Sequence, residues 1–179
     1  CEHNPRALTD TFIDISSIVN AELIRTAGCQ SAVGPLTAPT WPTGSAAVFC
    51  AIAGTAELLT LTGCEMNAVA ANGRFVQLAN ASSVRRVNVR DCRLLGNQGV
   101  NVMATPGQVP DILLDGNDMN LTYAANIAAS ANVTAVANTL NGATILARQT
   151  GGTATLTHGG NKLNGTAALT SGTVTATAW

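Results

Sequence analysis

RVNVRDCRLLG at residues 86–96, DILLDGNDMN at 111–120 and VTAVANTLNG at 133–142 are three versions of one pattern. Each is an alternating run, then a small turn residue, then an apolar residue two places on. LLTLTGCEMN at 58–67 and LTHGGNKLNG at 156–165 carry it further in both directions. Aligned on the turn residue, the copies give an anchor series Cys64, Cys92, Asn117, Asn138 and Asn161. Five places before the anchor stand Leu59, Val87, Ile112, Val133 and Leu156, and three places before stand Leu61, Val89, Leu114, Ala135 and His158. Two places after it stand Met66, Leu94, Met119, Leu140 and Leu163. His158 alone breaks an otherwise apolar set. Alternation of this kind makes a strand with one buried face. Anchor intervals of 28, 25, 21 and 23 residues are the length of one solenoid coil. Their unevenness puts insertions in surface turns, where extra chain costs little.

This anchor column resembles that of the right-handed parallel β-helix, the fold of pectate lyases and phage tailspikes. The likeness covers roughly residues 55 to 172 and is one of fold, with no catalytic motif to carry it. It implies an all-β chain of about five to six coils. It also implies that Asn117, Asn138 and Asn161 hydrogen-bond to one another and to backbone along the axis, with Cys64 and Cys92 continuing the column as small buried groups.

Composition agrees with stacked coils. Of 179 residues, 11 % are charged and 3 % aromatic, so small and β-branched side chains must do the packing. A net charge of −1 offers no polycationic surface for nucleic acid. No apolar run approaches the roughly 18 residues of a membrane span. The chain opens on Cys1 rather than methionine, which points to a processed product or a piece of something longer.

Three segments are expected: a cap at 1–34, a proline-rich loop and first strand at 35–54, and coils over 55–179. In the cap, Leu8, Phe12, Ile15, Val19 and Leu23 fall at helical spacing, with Thr9 or Asp10 as start; Phe12 to Ile15 also reads as a strand. A capping helix would cover the open edge of the first coil. Residues 34–44 hold three prolines and Trp41, which forbids strand pairing there. Trp41 is set to pin that loop or to stack on a sugar or a partner. Ala46 to Ile52 reads as a strand. Each coil has a second strand after its anchor, at Phe75 to Leu78, Val100 to Met103, Tyr123 to Ala128, Thr144 to Ala147 and Thr166 to Leu169. Trp179 is placed to cover the final coil, or marks a cut.

Five cysteines make an odd count. Cys64 and Cys92 are expected as neighbouring thiols, Cys29 and Cys50 as a possible pair across a loop, and Cys1 as free. No CxxC is present, and His3 and His158 are too few for a metal site, so no metal or cofactor is expected. N-x-S/T matches at Asn80, Asn120, Asn132 and Asn164 are what an Asn/Thr-rich chain makes by accident.

Chemistry is sparse. One place after the anchor stand Glu65, Arg93, Asp118, Thr139 and Lys162, so the register sets both Glu65 and Asp118 beside Arg93. Arg90 neighbours Asp115 in the same way. Glycoside hydrolysis needs two carboxylates, one of them protonated, and an arginine between two carboxylates keeps both ionised. No catalytic residue is assigned, although a site shared between chains through Asp91 or Asp111 stays open. The expectation is a structural and adhesive virion spike or tail-fibre module, extracellular, a homotrimer among other fibre proteins, with a host glycan as ligand. The alternative is a polysaccharide-cleaving hydrolase or lyase on the same scaffold.

Overall fold

The computed structural model describes residues 2–3, 11–15, 21–33, 48–52, 54–68, 73–79, 82–103 and 108–179. Over 55–179 the backbone winds through about five turns of a parallel β-solenoid, three strands to a turn. In one turn the strands are Ser83–Arg90, Arg93–Leu95 and Gln98–Val102. The next turn lays Asp111–Asp115, Asp118–Asn120 and Tyr123–Ile127 on them in the same direction. Val87 meets Ile112, Leu94 meets Met119 and Val100 meets Ala125. Three parallel sheets result: one of long strands, one of short strands, and a third. Each reaches seven strands: Ala21–Ala27 stacks on Thr55–Thr62, Glu2–His3 and Gln30–Val33 continue from Glu65–Ala68, and Thr11–Ile15 and Val48–Ile52 continue from Arg74–Leu78.

Like stacks on like. Leu59, Val87, Ile112, Val133 and Leu156 form one buried inner column, and Met66, Leu94, Met119 and Leu140 another. Each fully buried side chain of this size contributes roughly 1.5–3 kcal/mol. Leu163 continues the second column on the last turn and is 44 % exposed, since no further described turn lies over it. His158 occupies its inner register position between Ala135 and Ala178 and is half-buried.

The corner between long and short strands is built the same way in every turn. The residue before the anchor has a left-handed backbone: Gly63 (φ 60°), Asp91 (52°), Gly116 (66°), Ala137 (53°) and Gly160 (63°). Glycine adopts that conformation without penalty and aspartate tolerates it, whereas alanine is strained there. The anchor then turns inward. Asn138 Nδ2 donates to Leu114 O at 2.9 Å and to Asn161 Oδ1 at 2.9 Å. Its Oδ1 accepts from Asn117 N at 3.0 Å and Asn117 Nδ2 at 2.9 Å. Asn117 and Asn161 reach Val89 O and Ala135 O in the same manner, both at 2.9 Å. A primary amide has two donors and an acceptor oxygen with two lone pairs, and Asn138 uses all four. Cys92 ends the amide ladder: its N donates to Asn117 Oδ1 at 3.0 Å.

Three expectations need correction. The capping helix over Leu8 to Ile24 is not supported: Thr11–Ile15 and Ala21–Ala27 are parallel strands of the solenoid, and no helix occurs among the described residues. Pairing with Val48–Ile52 and Thr55–Thr62 supplies the backbone partners of these two strands. Second, each turn has three strands rather than two. The unforeseen strand just after the anchor is two to four residues long, too short to show alternation. Third, Cys29 is an anchor residue: Gln30 pairs with Glu65, which sets Cys29 directly over Cys64. Trp41 and the proline-rich stretch lie outside the described residues. Trp179 is 64 % exposed, with its indole against Gly159 on the outer wall.

Candidate functional site

The repeat that buries positions five and three before the anchor turns positions six, four and two outward. On Ser83–Arg90 these are Arg86, Asn88 and Arg90; on Asp111–Asp115 they are Asp111, Leu113 and Asp115; on Ala131–Val136, Asn132, Thr134 and Val136. Parallel pairing aligns them in rows, with Arg86 beside Asp111 beside Asn132, and Asn88 beside Leu113 beside Thr134. All of these but Asp115 and Val136 line an open groove of about 350 Å³ on the long-strand wall.

Its polar groups are held from the side. Asn132 Nδ2 donates to Asp111 Oδ1 at 3.1 Å, and Thr155 Oγ1 donates to Asn132 Oδ1 at 2.9 Å. Arg90 Nε lies 3.6 Å from Asp115 Oδ2, an exposed pair worth at most about 1 kcal/mol. Among the described residues Arg86 makes no ion pair. Asn88, which lines the groove, has a buried Oδ1 that accepts no hydrogen bond, one of six buried side-chain N or O atoms without a partner among the described residues. A buried acceptor without a donor is uncommon, since leaving it so costs about 1–3 kcal/mol. The groove offers a guanidinium, amide groups, a carboxylate and a threonine hydroxyl beside the apolar Leu113. That set suits a ligand rich in hydroxyls with an apolar face.

The carboxylates weighed as catalytic do not assemble. Glu65 and Asp118 do flank Arg93 in register. Arg93 Nη1 turns to Glu65 Oε1 at 3.2 Å, while Asp118 Oδ1 accepts from Asn141 Nδ2 at 2.6 Å. Asn164 Nδ2 in turn donates to Asn141 Oδ1 at 2.8 Å, so Asp118 ends an outer amide ladder. Asp91 sits at the corner beside Gly116, whereas Asp111 starts the strand that Gly116 ends. Five residues at about 3.3 Å each set them roughly 16 Å apart within one chain, beyond the 6.5–9.5 Å of an inverting pair. Among the described residues no group of three or more His, Cys, Asp or Glu side chains is placed to hold a metal ion.

The groove residues were legible in principle, because outward positions follow from the same register as inward ones. Nothing in the sequence marked Asn88 from the other polar outward residues. The class defined by fold and site is a parallel β-solenoid with a mixed polar groove on one wall. No family model matches the chain, and neither a curated protein nor a solved structure is similar to it.

Proposed function

We propose that the protein is a structural and adhesive module, the rigid shaft of a virion spike or tail fibre, and that it binds a surface glycan along the long-strand wall. The observation that carries this reading is the groove lined by Leu113 together with Arg86, Asn88, Asp111 and Thr134. Sugars present hydroxyls on their edges and C–H groups on their faces, which is the complement of that lining. Rigidity is supported by the buried asparagine ladder and by backbone pairing between successive turns. The small, weakly charged side chains of the outer walls suit close approach of three copies about a common axis.

The test is binding of neutral and acidic oligosaccharides by calorimetry, with Arg86→Ala and Asn88→Ala as variants. Loss of affinity by tenfold or more in both, with unchanged circular dichroism, supports the wall as the site. Equal binding by wild type and both variants removes it. Light scattering at dilute concentration tests the trimer; a clean monomer of 18.2 kDa refutes that part. Asp111 in the groove is the one observation favouring polysaccharide cleavage. Reducing-end release or unsaturated-uronate absorbance abolished by Asp111→Asn would replace adhesion with catalysis.

A further inference from the structure

The anchor column holds cysteine in two redox states. Cys29 is disulfide-bonded, while Cys64 and Cys92 are free thiols. The pairings Gln30 with Glu65 and Glu65 with Arg93 put Cys29, Cys64 and Cys92 on three successive turns at one register position. Neighbouring parallel strands are about 4.8 Å apart, within the 4.4–6.8 Å Cα separation that a disulfide bridges. All three side chains face inward, at 4, 1 and 2 % exposure. The Cys64 thiol donates to Thr62 O at 3.6 Å. Cys92 also donates to Arg90 O at 3.1 Å.

We propose that these three cysteines form a track along which a single disulfide migrates by internal thiol–disulfide exchange. In the first step the Cys64 thiolate attacks Cys29 Sγ. The Cys29–Cys64 bond forms, the bond from Cys29 to its present partner breaks, and the leaving thiolate takes up the proton that Cys64 gave up. In the second step the Cys92 thiolate attacks Cys64 Sγ, expelling Cys29 as a thiolate that is protonated in turn. One disulfide is present before and after each step, so no external oxidant or reductant is required. Burial keeps bulk reagents out and makes the neighbouring disulfide the reachable electrophile. Interaction with the Cys92 side chain holds the Cys64 thiol below its ordinary range, and the same pairing together with burial pushes Cys92 above it. Cys64, the free thiol next to Cys29 in the column, is the first attacking group. The titratable groups stacked on it are Cys29 and Cys92; Glu65, Arg90 and Arg93 lie on the outer wall.

Peptide mapping tests the track. The whole protein is incubated at pH 5 and pH 8, its free thiols are alkylated in acidic denaturant, and it is cut with trypsin and a Glu-specific protease. These release residues 26–57 with Cys29 and Cys50, 58–65 with Cys64, and 91–93 with Cys92. At pH 8 the expected product is 58–65 linked to 91–93, with a matching loss of the original Cys29 linkage. Its rate should be at least tenfold higher than at pH 5 and independent of protein concentration. In Cys64→Ser, residues 91–93 should stay fully alkylated. Should that variant not fold, the pH series on the wild type decides. Quantitative alkylation of both Cys64 and Cys92 at pH 8, with Cys29 still on its first partner, overturns the proposal. So does cross-linking whose rate rises with protein concentration.

Discussion

Replacing Asn138 by alanine removes the middle of the buried amide ladder. Four hydrogen bonds go: those donated to Leu114 O and Asn161 Oδ1, and those accepted from Asn117 N and Asn117 Nδ2. Asn161 Oδ1 keeps the Asn138 backbone donor, 3.0 Å away. Asn117 fares worse, because its backbone N–H and one amide proton lose their acceptor while Asn117 itself is 1 % exposed. Each orphaned buried donor costs about 1–3 kcal/mol, so the substitution should destabilise the fold by about 3–5 kcal/mol. That is a large part of the 5–15 kcal/mol of a typical domain. Urea unfolding measures it: with a slope of about 2 kcal/mol per molar, the midpoint should fall by roughly 1.5–2.5 M. Thr175→Ala, on the exposed face of the last turn, is the control and should stay within about 0.5 kcal/mol of wild type. A loss below 1 kcal/mol at Asn138 would falsify the view that the ladder, rather than the apolar columns alone, holds the turns in register.

Asn138→Asp keeps the shape but sets acceptors against Leu114 O and Asn161 Oδ1. Burial and these contacts raise the folded-state carboxyl pKa. The variant should be most stable below the unfolded value of about 3.9 and lose stability as pH rises through the folded one; equal urea midpoints at pH 3 and pH 7 would contradict this. Ala137→Gly relieves an alanine held at φ 53° and should stabilise by up to about 1 kcal/mol, seen as a higher thermal midpoint. Gly152→Ala should do the reverse. At φ 71° its new Cβ would overlap the Ala129 carbonyl of the neighbouring turn, for a loss of about 2–5 kcal/mol in the same thermal assay. Gly28→Ala, also left-handed but with open space around the added carbon, should cost only about 1–2 kcal/mol.

The repeat was legible because stacked turns demand the same residue type at a constant offset from the corner. Leu59, Val87, Ile112 and Val133 satisfy that demand, and Asn117, Asn138 and Asn161 declare the corner itself. Cys29 was legible too, with Ile24 five places before it and Gly28 one before. It was hidden by the 35-residue interval to Cys64, which includes the proline-rich stretch. Strands as short as Arg93–Leu95 leave no readable trace, since they carry one inward residue each.

What the sequence determined alone is which residues share a column, for that follows from spacing, and with it the parallel stacking of the turns. What only the tertiary structure decided is which neighbours within those columns bond. Arg93 turns to Glu65 and leaves Asp118 to Asn141; Asn88 Oδ1 ends buried without a donor; Cys29 is oxidised where Cys64 and Cys92 are not. Offsets along the chain set a residue's position on the wall, but side-chain rotation and burial between turns set its partner.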